Sequence, residues 1–223
     1  MKILAQTMIA GVVLAMASFH VQAFEEGRHF ERIASPGTTP SDRVEVIEAF
    51  AYPCPACRNF HPIISHWEAN APDHVVFRRV PVPLQRGWDL FALAYFTAQT
   101  LNAGEEAHAG MFRALHDERR MVRNFDDIAA IYADYGIDPA EFVSTSESFA
   151  VDSLMRRNQV ELTRFGVRHT PTMIVQGKWR LVPGAFTSYQ EMMQAVDYLV
   201  AKELEALNPE PSGEAPESTE IGD

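Results

Sequence analysis

The sequence predicts an α/β fold whose sheet-forming segments are split by a long all-helical stretch. Three observations carry this reading. A β-rich apolar run, Arg43 to Ala51 (RVEVIEAFA), leads into Cys54-Pro55-Ala56-Cys57 and then into a segment with helical spacing. A second β-rich run follows at His74 to Val82, which makes a βαβ unit. After Gly166 a period-two pattern returns on either side of Gly177.

The 223 residues, 47% of them hydrophobic, are enough for one sizeable core. The N-terminus reads as an export signal. Lys2 gives a positive start, Ile9 to Ala17 an apolar run, and Val21-Gln22-Ala23 a small-residue cleavage pattern. Residues 1–23 are therefore expected to be removed after Ala23 on export. A membrane anchor is the competing reading, but the apolar run is short and His20 and Gln22 follow it.

In the strand predicted over Arg43 to Ala51, Tyr52-Pro53 marks the end. From Pro55 to about Asn70, Phe60, Ile63, Ile64 and Trp67 recur at helical spacing. Pro55 suits the first turn, where its missing N–H costs nothing, and Pro62 should kink the helix. The segment from Gln85 to Gly166 reads as all helix. Trp88 to Leu101 is apolar nearly all round, which marks a buried helix rather than a cofactor site. Asp126 to Tyr135, Pro139 to Thr145 and Ser148 to Phe165 supply further helices, with Gly104, Gly136 and Gly166 as helix-ending glycines. Thr172 to Gln176 and Lys178 to Val182 form a hairpin around Gly177. Ser188 and Glu191 fit a capping box, and a last helix runs to about Leu207 with Met192, Ala195, Val196 and Leu199 as its stripe. Residues 208–223 hold three Pro, five acids and no base, a composition that cannot bury enough surface to order itself.

The net charge of −11, with no basic cluster beyond pairs such as Arg78-Arg79 and Arg119-Arg120, argues against nucleic acid as a partner. The chemistry points to the only two cysteines, Cys54 and Cys57. A zinc half-site lacks a second ligand pair at suitable spacing. A structural staple across two residues gains little loop-closure entropy. A redox pair remains. Cys54 at a helix start meets unpaired N–H groups and the positive end of the dipole, which favour the thiolate that attacks and leaves in exchange. Cys54 is therefore expected to be the exposed, acidic thiol. Cys57, one turn in, should be buried and able to resolve a mixed disulfide.

Thr170-Pro171 precedes a predicted strand, where Pro is unusual. A cis bond there would leave the Thr170 backbone free to pair with an extended peptide. A trans bond is the commoner state, since cis occurs in about one X–Pro bond in twenty.

Taken together, EVIEAFAYPCPAC, FHPIISHWE, the helical stretch and GVRHTPTMIVQGKW resemble the DsbA family of bacterial periplasmic disulfide-introducing proteins, from about Phe24 to Leu207. The resemblance implies a thioredoxin-like domain in two parts, 24–84 and 166–207, with an all-helical insertion at 85–165. It implies Cys54 as nucleophile, Cys57 as resolving thiol and Pro171 as a cis-proline. The implied activity is protein dithiol oxidation: the Cys54–Cys57 disulfide passes to newly exported, unfolded Cys-containing proteins. No cofactor is needed beyond that disulfide, no metal is expected, and the chain should be a monomer. A DsbB-like quinone-linked inner-membrane oxidase would restore the disulfide. Two departures stand out. The common family dipeptide is Pro-His, and Ala56 replaces the His. Thr170 stands where the best-known members have Val, and Thr-Pro occurs in reductases and isomerases of the same fold. Two rivals therefore stand: a reductase or isomerase, and a non-catalytic peptide-binding chaperone.

Glu48 falls on a strand expected to be covered on both faces, where a carboxylate needs a partner. The family places an acid here near the resolving thiol, paired with a base, which maps to Arg79. Glu48 reads equally as a proton acceptor for Cys57 and as half of a structural ion pair. His169 and Thr170 are candidate substrate contacts beside Pro171, although a loop histidine is more often simply solvated. Arg168 reads as a substrate contact or a solvated side chain. His61 faces either the buried charges or the surface, and His108 and His116 read as helix-surface residues.

Overall fold

The computed structural model describes residues 24–36 and 42–208. The export-signal reading over 1–23 and the acidic tail beyond Asn208 lie outside these residues. Strands β1 (Phe30–Arg32), β2 (Val44–Phe50), β3 (Val75–Pro81), β4 (Thr172–Val175) and β5 (Trp179–Leu181) form one sheet in the order β1-β5-β4-β2-β3. Helix α1 (Pro55–Ala69) carries the chain from β2 to β3, which pair in parallel. Helices α2 (Asp89–Thr100), α3 (Gly104–Phe112), α4 (Phe125–Ala133), α5 (Pro139–Ser146) and α6 (Phe149–Phe165) separate β3 from β4, and α7 (Tyr189–Leu207) closes the fold. Among the described residues, no helix is long and apolar enough to cross a membrane.

Local chemistry explains most boundaries. Asn124, Asp138, Ser148 and Ser188 each accept, through the side chain, the N–H three residues on, and so start α4, α5, α6 and α7. Glu191 reaches back as expected, but its carboxylate takes the N–H of Thr187 at 2.6 Å. Gly166 ends α6 at φ 61°, and a Cβ there would meet Arg180 Nη1 at 2.5 Å. Gln176 and Gly177 both adopt φ 55° in the tight turn between β4 and β5, which the Lys178 N–H closes on the Val175 carbonyl at 3.0 Å. Gly104 departs from expectation: it opens α3, and Asn102, at φ 54°, takes the left-handed position after α2. Strand β1, three residues at the sheet edge, carries too little pattern to be read from the sequence.

Among the described residues, three apolar cores result. One lies between the sheet and α1 and α7, around Phe60, Ile64, Trp179, Met193 and Leu199. A second, around Ile47, Ile174, Leu162 and Phe165, fills the opposite face beneath α6. The third joins Phe50, Tyr52 and both cysteines to Met111, Phe112, Ile128, Tyr132 and Phe142. The dithiol therefore sits where the sheet meets the helical stretch.

Candidate active site

Strand β2 delivers the chain through Ala51-Tyr52-Pro53 to Cys54, which caps α1 in an extended conformation with Pro55 next. Antiparallel pairing of Ala49 with Thr172 brings the start of β4 alongside. The Thr170–Pro171 bond is cis, and Cys54 Sγ donates to the Thr170 carbonyl at 3.4 Å. Both cysteines are free thiols. Cys54 is 7% exposed and Cys57 0%, so the expectation of an exposed Cys54 is corrected: its side chain packs in the third core and only an edge reaches solvent.

The two thiols are polarised in opposite directions. A hydrogen bond from Cys57 is the chief cause that lowers Cys54 to about 5, against the opposing effect of burial. The Thr170 side chain and the backbone N–H groups of Cys57 and Ala56 add to the lowering. The Thr170 carbonyl accepts only from the protonated thiol and so works the other way. Burial pushes Cys57 far above the ordinary thiol range, and its hydrogen bond to Cys54 and the Cys54 charge push in the same sense.

Glu48 is 2% exposed and lies opposite Arg79 in the β2–β3 register. Arg79 Nε donates to its carboxylate at 3.2 Å, so the expected partner is present. Burial lifts Glu48 to about 7, against the lowering pull of Arg79. Arg79 also reaches Glu68 at 2.7 Å and Glu105 at 3.1 Å.

The histidines divide. His169 is exposed, and with Arg168, Thr170, Leu84 and Trp88 it rims a depression around Cys54. A groove of about 650 Å³ continues from Thr170 and Pro171 past Met173, Phe186, Tyr189 and Met192. His61 is buried, facing the charges. His108 is 7% exposed, which overturns its surface assignment: it shares the inner face of α3 with Met111 and Phe112 and hydrogen-bonds Tyr52 Oη at 2.7 Å. His116 is likewise no plain surface residue. It lies in a π-helical turn, Arg113–Asp117, and its Nε2 lies 2.7 Å from the Tyr52 carbonyl. Asp117 pairs with Arg58 of α1 at 2.6 Å. Tyr189 Oη donates to the Ala56 carbonyl at 3.1 Å. The roles of Tyr52, Asp117 and Tyr189 at the site rest on contacts across long sequence separations, which leave no local signal.

A polarised dithiol at a helix start, on a mixed sheet with a cis-proline loop beside it, defines a thiol–disulfide oxidoreductase of the thioredoxin class. Residues 45–196 match the model of the DSBA-like thioredoxin domain, and the chain belongs to that family. It is 30% identical to the thiol:disulfide interchange protein DsbA of Pseudomonas aeruginosa over 207 residues, 90% of this chain and 98% of that one. The Pseudomonas syringae protein of the same name is 29% identical over 206 residues, 92% of this chain and 96% of that one. The crystal structure of P. aeruginosa DsbA superposes with a TM-score of 0.78 at 29% identity, covering 82% of this chain and 96% of that one. The oxidoreductase DsbA from Xylella fastidiosa gives a TM-score of 0.73 at 29% identity, covering 78% and 95%.

Proposed function

We propose that this oxidoreductase works as a periplasmic dithiol oxidase for newly exported proteins. The observation that carries the direction is the opposed polarisation of the two thiols. A Cys54 held at about 5 is stabilised as thiolate, which favours the reduced protein and so makes its disulfide a better oxidant.

In the first step a substrate thiolate attacks Cys54 Sγ of the disulfide. The Cys54–Cys57 bond breaks, and Cys57 leaves and takes up a proton. Glu48, at about 7, is poised to supply that proton and to accept it in the reverse step. A second substrate thiolate then attacks the substrate sulfur of the mixed disulfide, and Cys54 departs as thiolate. The substrate loses two electrons and the protein gains them. Thr170 and Pro171 would align an extended substrate segment, with His169 at its edge. A DsbB-like quinone-linked membrane oxidase would return the dithiol to the disulfide.

The test is redox equilibration with glutathione, together with trapping of the thiol state in the periplasm. A resting disulfide and an equilibrium favouring the reduced protein support oxidation. A resting dithiol in the cell assigns the protein to reduction or isomerisation. Peptide binding that survives Cys54→Ser, with no thiol exchange by wild type, assigns it to chaperoning.

A further inference from the structure

We propose that His61, Glu105 and His108 form a second site, behind the dithiol, for a zinc-class divalent cation. One donor atom from each lies within 4.8 Å of the others, and His61 Nε2 is 4.0 Å from Glu105 Oε1. His61 comes from α1 and the other two from α3, so the site joins the helix that carries the cysteines to the helical stretch.

Two further features point to a ligand. First, His108 is 93% buried by virtue of its 7% exposure, and its Nε2 has no hydrogen-bond partner. A buried ring nitrogen left without a partner is costly, and a cation would satisfy it. Second, the opposite nitrogen of each imidazole is held by a hydroxyl. Tyr52 Oη lies 2.7 Å from His108 Nδ1, and Ser65 Oγ lies 3.3 Å from His61 Nδ1. Each hydroxyl orients its ring and can accept from Nδ1–H, the tautomer that leaves Nε2 free to bind a metal.

The fit is within reach. Zinc bonds of about 2.0–2.1 Å in tetrahedral geometry put donor atoms about 3.3 Å apart. Glu105 is 48% exposed in the first turn of α3 and has room to close the gap. Its Oε2 keeps Arg79 Nη1 at 3.1 Å, while Oε1 would exchange its 3.3 Å contact with Arg79 and its 2.9 Å contact with Ser65 for the metal. Arg79 is paired with Glu48, Glu68 and Glu105, and Arg58 with Asp117, which offsets much of the positive charge that faces His61 from these two and Arg113. A cavity of about 340 Å³ lined by Tyr52, Arg79, Tyr95, Asn102, Glu105 and His108 gives a route in and space for a water as fourth ligand. Two imidazoles and a carboxylate suit zinc, and copper(II) should bind more tightly still.

The test uses the oxidised protein, in which the disulfide removes both cysteines as rival ligands. Titration with zinc chloride followed by calorimetry should give one equivalent and raise the thermal midpoint by several degrees. Cobalt(II) should give the visible bands of a tetrahedral nitrogen–oxygen site without thiolate charge transfer. Glu105→Gln, at an exposed position that tolerates the change, should weaken zinc at least tenfold, and His108→Phe should abolish it. Circular dichroism checks that each variant folds, and Glu105→Gln decides alone if His108→Phe does not. Absence of zinc binding in the wild type, or equal affinity in wild type and Glu105→Gln, overturns the site.

Discussion

Acidification should remove the stability advantage that the reduced protein draws from Cys54. The folded thiol titrates at about 5 against an ordinary value of 9.0. At pH 7 the unfolded thiol is then about 1% ionised and the folded one about 99%, so the two differ by roughly a hundredfold, or about 2.7 kcal/mol. Sγ keeps an edge in water, and screening reduces this to roughly 1–2 kcal/mol. In a two-electron couple that is about 20–40 mV of added oxidising power. Because the folded value is depressed, the contribution is fully present above the ordinary thiol value. It shrinks as pH falls and is gone below about 5. Cys57, pushed the other way, stays protonated throughout this window. The assay is urea unfolding of reduced and oxidised protein between pH 4 and 8. The oxidised form has no thiol to titrate, so groups titrating alike in both cancel from the difference. The reduced-minus-oxidised stability should grow steadily above pH 5, alongside a thiolate absorbance midpoint near 5. A flat difference, or a midpoint near 9, would refute the assignment of Cys54 as the stabilised thiolate.

Three other changes probe the surrounding residues. Glu48→Gln should slow attack of Cys57 on a mixed disulfide at Cys54 by about 10²-fold, and should slow its reverse, substrate attack on Cys54 of the disulfide, in step with it, because the two share one transition state; stopped-flow kinetics on a model peptide, run in both directions, reads both rates. In the oxidised wild type, stability should fall as pH rises from 4.5 to about 7, because the native carboxyl holds its proton longer than the unfolded one, and Glu48→Gln should lack that fall. Arg79→Met should cost about 3–5 kcal/mol at pH 8, where Glu48 is left buried and ionised, and less at pH 5, as read from urea midpoints. Ala56→His should restore a donor near Cys54 and make the protein more oxidising by about 30 mV for each 1.4 kcal/mol gained, measured against glutathione.

The sequence was most informative where local signals coincide. RVEVIEAFA running into Cys54-Pro55 gave the strand, the helix start and the polarity of the dithiol from adjacent residues. The need of a buried Glu48 for a partner was legible from its strand, but Arg79 as that partner came from the family resemblance, and the parallel register places the two side by side. Strand β1 escaped because Phe30–Arg32 forms only by pairing with β5, about 150 residues away. His108 was misplaced because its helix was not separated from the rest of the helical stretch. The spacing to Met111 and Phe112 marks its face as apolar, and that signal was available. The contacts of His116 and Asp117 depend on a π-helical turn, an irregularity without a sequence signature.

The register of β2 against β4 has a consequence for how such a protein can change over evolutionary time. Backbone pairing, Ala49 with Thr172 and Glu48 with Met173, sets where Thr170 meets Cys54. The ladder itself uses peptide groups that every residue except proline provides. Side chains on the sheet can therefore be exchanged widely, provided they still fill the cores, without moving the thiol from its carbonyl neighbour. A one-residue slip would instead shift that neighbour by about 3.3 Å and turn every side chain of β4 to the wrong face. Substitutions are thus tolerated where insertions within these two strands are not. A chain that shares only 30% of its residues with a relative can keep the meeting point of its reactive groups in place, because that point is written in the pairing of main chains.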